Sequence, residues 1–199
     1  MIFNKTTPND WLLDLNRSIL NALCKRDTAD VSLDNGVEHA GEIIQKTIAS
    51  KSSIWWVGNG GSASICSHLS QDLLNKLGAK SIFLGDPSLI TCMTNDYGYN
   101  NVYSRPLEIF VQPGDLLIAI SSSGNSENIL ACADMAIKKG MNLITLSGLS
   151  DNNRLWNMKC NLSFFISSNL YGIVEVAHEA ILHSIIESMW LNRKDDINE

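Results

Sequence analysis

Two stretches of this sequence have the residue types and spacing that acid–base or metal chemistry needs: His68 with Asp72, and Glu175 through His183. His68 and Asp72 are four positions apart, so on a helix their side chains share a face. An imidazole beside a carboxylate can relay a proton or hold a cation. The same spacing also describes an ordinary i, i+4 surface pair, and the residues alone favour that simpler reading. The later stretch offers Glu175, His178, Glu179 and His183. At about 100° per residue, Glu175, Glu179 and His183 fall within roughly 80°, whereas His178 and His183 stand about 140° apart. His183 therefore lies on the carboxylate face, and His178 reads as a packing residue. A lone histidine on an amphipathic helix is usually structural, so spacing leaves the role of His183 open.

A second kind of chemistry is suggested by two loops. Gly58-Asn59-Gly60-Gly61-Ser62 follows the apolar run Ser53-Ile54-Trp55-Trp56-Val57, and its glycines let the backbone approach a ligand closely. Ser62 could cap the next helix or donate its hydroxyl. Ser121-Ser122-Ser123-Gly124-Asn125-Ser126 follows Asp115–Ile120 and leads into another helix. Hydroxyls, free amides and a helix dipole together make a neutral cradle for phosphate. Either loop alone is a common turn, but two in one short sheet favour a phosphate site. Neither is a dinucleotide fingerprint, because Ala63 stands where a third glycine is needed, and neither is a P-loop, because no Gly-Lys-Ser/Thr follows.

The elements that must carry these residues can be read from periodicity. Trp11, Leu12, Leu15, Ile19, Leu20 and Leu23 form an i, i+3/i+4 stripe that predicts a helix over 10–25. A second helix is expected over 35–50, with Ala40, Ile43, Ile44 and Ile48 inward, a third through Ile129–Ile137, and a closing one over 171–191. Strands are expected at 53–57, 81–84, 115–120, 142–146 and 162–166. Strands alternating with helices imply a three-layer αβα arrangement around a mostly parallel five-stranded sheet. The expected division is a single domain over 1–199, with a helical arm at 1–34 and a core at 35–199.

Composition narrows the partners. The chain has 199 residues, 45% hydrophobic and 18% charged, with a net charge of −6. That charge argues against a nucleic-acid surface, which needs clustered Lys and Arg. A small anion needs no such cluster. No run approaches the length of a membrane helix, and Met1-Ile2-Phe3-Asn4-Lys5 lacks the basic-then-apolar design of a signal peptide. Cys24, Cys66, Cys92, Cys132 and Cys160 show no CxxC spacing and read as reduced thiols, so the expected location is the cytoplasm.

At the two loops the chain resembles the sugar isomerase (SIS) domain family, and within it the phosphoheptose isomerases. The matching residues are Gly58–Ser64 with His68, Thr94-Asn95-Asp96-Tyr97-Gly98-Tyr99, Tyr103-Ser104-Arg105, Pro113-Gly114-Asp115, Ser121–Ser126, and His178 with His183. They run in collinear order from about residue 35 onward. The resemblance implies an isomerase of sedoheptulose 7-phosphate, supplying heptose for lipopolysaccharide or capsule, working as a homotetramer with sites between subunits. By position, it implies sugar-phosphate contacts from Asn59, Gly60, Gly61, Ser62, Asp72, Asn95, Asp96, Ser121, Ser122, Ser123, Ser126 and Glu175. It also implies Asp72 as base, His183 as acid, and a zinc ion, one per subunit, on His68, Asp72, Glu175 and His183, with no nucleotide cofactor.

This chain departs from the family pattern at several positions. Asp72 stands for the usual Glu, Glu175 for Gln and Lys76 for Arg, and Leu170-Tyr171-Gly172-Ile173-Val174 lacks the usual Asp or Thr and Arg. A non-catalytic phosphosugar binder, a replication-initiator-associated type of protein module, and an isomerase of another surface-polysaccharide phosphosugar are the alternatives.

Overall fold

The computed structural model describes residues 7–195. In chain order the elements are α1 (Pro8–Leu20), β1 (Leu23–Asp27), β2 (Ala29–Val31), α2 (Leu33–Ala49), β3 (Ser53–Val57), α3 (Gly61–Leu77) and β4 (Lys80–Phe83). There follow α4 (Pro87–Tyr97), a 3-10 turn (Tyr99–Asn101), α5 (Ser104–Phe110), β5 (Leu116–Ser121), α6 (Glu127–Lys138), β6 (Asn142–Gly148), β7 (Cys160–Ile166) and α7 (Tyr171–Asp195). The Met1–Lys5 stretch weighed as a leader lies outside the described residues.

One seven-stranded sheet runs in the order β2-β1-β7-β6-β5-β3-β4. Its five strands from β7 to β4 pair in parallel, and they are the five expected from the sequence. The other two are a correction: β1 and β2 form an antiparallel hairpin on the β7 edge. Cys24 pairs with Phe164 there, so the expected first helix stops at Leu20 instead of reaching residue 25, and the 1–34 arm is a helix plus a hairpin. Leu23 happened to continue the helical stripe, but pairing to β7 outweighs periodicity over so short a segment.

Side-chain alternation along the buried strands divides the core in two. Ile54 and Trp56 of β3, with Leu116, Ile118 and Ile120 of β5, face the layer formed by α2, α3 and α7. Trp55 and Val57, with Leu117 and Ala119, face α5 and α6. Helices thus cover both faces, as a parallel sheet requires. α1 has no buried residue; Leu15 and Ile19 rest on the core, while Leu12, Leu13 and Leu20 are exposed. Asp115 holds the amino ends of the strands together, accepting from the Ser53 and Gln112 amides and the Trp55 indole, at the end of the sheet opposite the loops.

Candidate active site

β3 and β5 are parallel neighbours, yet the helices that follow them enter opposite layers. A crevice must open at their carboxyl ends, the usual ligand position in such sheets. The glycine loop follows β3 and the serine loop follows β5. Asn59, Ser62, Ile120, Ser121, Ser122, Ser123, Ser126, Tyr171 and Glu175 line a cleft of about 150 Å³ there. Ser62 does not cap α3: the N-cap is Gly60, with no side-chain cap bond, and Ser62 lies buried inside the first turn. Ser126, the N-cap of α6, also makes no side-chain cap bond, and its hydroxyl instead accepts from Ser121 Oγ at 3.1 Å. Two helix N-termini thus present amides without side-chain caps to one crevice. The Ser122 hydroxyl is buried there without a hydrogen-bond partner, the condition of a donor that awaits a ligand.

The loops are braced by Tyr99 and Tyr103 of the matching stretches and by Asn128 and Asn153, which give no signal in the sequence. Asn59 and Asn128 exchange amide hydrogen bonds of 2.9 and 2.8 Å, and Tyr99 Oη donates to Asn59 Oδ1 at 2.9 Å. With its oxygen doubly occupied and one N–H spent, Asn59 keeps one N–H for a ligand. Tyr103 Oη donates to the Gly58 carbonyl at 2.8 Å. In the serine loop, Gly124 has φ +64°, and a Cβ there would collide with Asn153 Oδ1. Asn153 is fully buried; its carbonyl accepts from the Trp156 amide and its NH2 donates to Ser150 O. The Asn128–Asn59 pair joins positions 69 residues apart, which local pattern could not reveal.

Beyond the crevice, α3 packs on α7. Ligating atoms of His68, Asp72 and His183 lie within 4.8 Å of one another. His183 Nδ1 is 3.8 Å from Asp72 Oδ2, and the His68 and His183 rings meet edge to face at 5.3 Å. Lys76 Nζ donates to Asp72 Oδ2 at 3.1 Å and also pairs with Glu187; the Glu187 bond, then Asp72, holds the Lys76 ammonium above its ordinary pKa. His183 is half exposed beside the carboxylate, whereas His178 is fully buried and donates from Nε2 to the Ser147 carbonyl at 3.0 Å. Burial pushes the His178 pKa down to about 4, and its Nδ1 has no partner. His183 thus stands beside Asp72, and His178 lies inside the core.

Other expected site residues are placed differently. Glu175 is outside the three-residue cluster. Its carboxylate instead lies over Gly61, 2.7 Å from where a Cβ would stand, at the positive end of α3. A little over two turns of α7, about 12 Å of rise, separate it from His183. Asn95 and Asp96, on exposed α4, bond to each other at 2.8 Å and do not line the cleft of their own chain; α4 ends at Tyr97, and Tyr99 makes the contact with the glycine loop instead. Gly60 and Gly61 form the entry of α3. A second cleft of about 410 Å³, lined by Gly61, Ser64, Ile65, His68, Val176 and Glu179, shares Glu175 with the first.

Residues 20–148 match the SIS domain family. The phosphoheptose isomerase of Campylobacter concisus is 31% identical over 85% of this chain and 92% of its own. The chain belongs to the SIS domain family. A phosphoheptose isomerase of Tolumonas auensis is 36% identical over 60% of this chain and 65% of that one. The solved phosphoheptose isomerase of Neisseria gonorrhoeae superposes with a TM-score of 0.75 at 25% identity, covering 79% of this chain and 86% of that one.

Within this SIS fold, the donor chemistry of two imidazoles and one carboxylate suits a borderline divalent cation. Thiol chemistry is not offered. Burial pushes the thiols of Cys24, Cys66, Cys132 and Cys160 upward, and Cys92, whose hydrogen bond to Asp96 raises it, is on α4. Among the described residues no helix is long and apolar enough to cross a membrane.

Proposed function

We propose that this chain is an aldose–ketose isomerase of a phosphorylated sugar, with sedoheptulose 7-phosphate as substrate and D-glycero-D-manno-heptose 7-phosphate as product. The observation that carries this reading is a phosphate-sized polar cleft at the amino end of α3, with a carboxylate–imidazole pair further along the same helix. Asp72, the proposed base, lies ten residues and about 15 Å of helix axis beyond Ser62, with its side chain tilted back toward the loops.

In this scheme the serine hydroxyls and the two helix N-termini hold the phosphate, and the remaining Asn59 N–H orients the sugar chain. Asp72 removes a proton from C1 of the ketose. The electron pair forms the C1–C2 double bond, and the C2 oxygen takes a proton from His183, giving the enediol. Asp72 then returns its proton to C2, and the C1 hydroxyl gives its proton to His183 as the C1 carbonyl forms. Zinc, on His68, Asp72 and His183, would supply carbonyl polarisation. Glu175, between the two clefts, is placed to contact the middle of the sugar.

The working unit in this reading is a homotetramer with sites between subunits. Two features support it: the exposed apolar face of α1, and the position of Asn95 and Asp96 away from their own cleft, where they could serve a neighbour. Incubation with sedoheptulose 7-phosphate, with and without zinc, tests the function; appearance of the aldose by NMR is expected. Tight phosphosugar binding with no product under either condition would point to a non-catalytic binder.

A further inference from the structure

The seam between α3 and α7 is a ladder. His68 meets His183, Asp72 meets His183, and Lys76 meets Glu187, from positions four apart on each helix. The rungs are not independent, because one atom serves two of them. Asp72 Oδ2 accepts from Lys76 Nζ at 3.1 Å and lies 3.8 Å from His183 Nδ1. A divalent cation on His68, Asp72 and His183 must draw on the same carboxylate that Lys76 already holds, and it must do so beside a fixed positive charge. The ammonium has a second seat within reach, since it also pairs with the Glu187 carboxylate. Asp72 has one methylene less than a glutamate, so it cannot swing far from Lys76 to serve a metal while keeping the pair.

We propose that Lys76 is a built-in competitor for the cation site, a latch that bridges Asp72 and Glu187 when the site is metal-free and lets go of Asp72, held by Glu187 alone, when a divalent cation binds. The latch makes metal binding at this cluster weaker and more readily reversed than its donor set alone would give. This rests on the metal reading above. Lys76 and Glu187 act through Asp72 and are positioning residues.

The test is the zinc dissociation constant of the full chain, stripped of metal and measured by competition with a chromophoric chelator. Wild type, Lys76→Met, Lys76→Arg, Glu187→Gln, Asp72→Asn and the Asp72→Asn/Lys76→Met double variant are compared. Lys76→Met should bind zinc about tenfold or more tightly than wild type, from loss of one adjacent charge, while Lys76→Arg stays close to wild type. Glu187→Gln should bind several-fold more weakly, because the ammonium loses its second seat. In the Asp72→Asn background the gain from Lys76→Met should shrink to within about threefold, as coupling through one carboxylate requires. Lys76→Gln replaces Lys76→Met should the latter fail to give a cooperative thermal transition. Zinc held equally or less tightly by Lys76→Met, or a gain undiminished by Asp72→Asn, overturns the latch and leaves the metal site standing. Unchanged affinity in Glu187→Gln also overturns it. Zinc bound by none of the proteins removes both latch and metal site, and turnover without zinc would then still support the isomerase.

Discussion

Asp72 and His183 reach each other from separate helices, 111 positions apart in the chain, because α3 and α7 pack side by side; Asp72 is mostly buried and His183 half exposed. Loss of a general base at a carbon acid lowers turnover by about 100- to 10,000-fold. Asp72→Asn should fall in that range with an unchanged thermal midpoint, read by parallel kinetics and differential scanning fluorimetry. His178 makes a different prediction. Its folded pKa of about 4 lies below the ordinary 6.5, so the unfolded chain binds the extra proton first. Stability is therefore complete above pH 6.5 and declines as pH falls toward 4, by up to about 3 kcal/mol. Urea unfolding across pH 7 to 4.5 should show the loss, and His178→Gln should flatten much of it. A wild-type midpoint that stays level over this range would argue against a buried neutral imidazole.

At the scale of elements, the parallel strands and the two loops were legible because buried strands are short apolar runs and the loops are glycine- and serine-rich. The hairpin of β1 and β2 was not, since Leu23 continues a helical stripe and becomes strand only through pairing with β7. α4 and α5 carry no clean apolar period and were also missed. Likewise Asn128 is a single polar residue whose partner comes from a distant segment, and Asn153, bonded within its own loop, matters through its packing against Gly124. Their importance can be measured. Gly124→Ala meets both a left-handed backbone and the Asn153 side chain, so it should cost about 2 kcal/mol or more and weaken phosphosugar binding. Asn128→Ala leaves Asn59 with an unpaired buried-side contact, and should raise KM about tenfold with a smaller change in kcat. If kcat fell instead with KM unchanged, Asn59 would belong to the transition state and not to substrate placement.

For the whole molecule, the switch point between β3 and β5 brings the glycine and serine loops together, and α3 runs from the glycine loop to its seam with α7. Assembly is the remaining link. The apolar residues Leu12, Leu13 and Leu20 on α1 are exposed in one chain, and a tetramer would cover them. Light scattering should give four times the chain mass, and Leu12→Asp with Leu20→Asp should lower it; a monomeric wild type would remove the inter-subunit site. The enediol is the claim on which the rest depends. With sedoheptulose 7-phosphate in deuterium oxide, wild type should form the aldose with solvent deuterium at C2, and Asp72→Asn should form neither. Product formed at the wild-type rate by Asp72→Asn would contradict the account, as would phosphosugar binding by wild type with no exchange at either carbon.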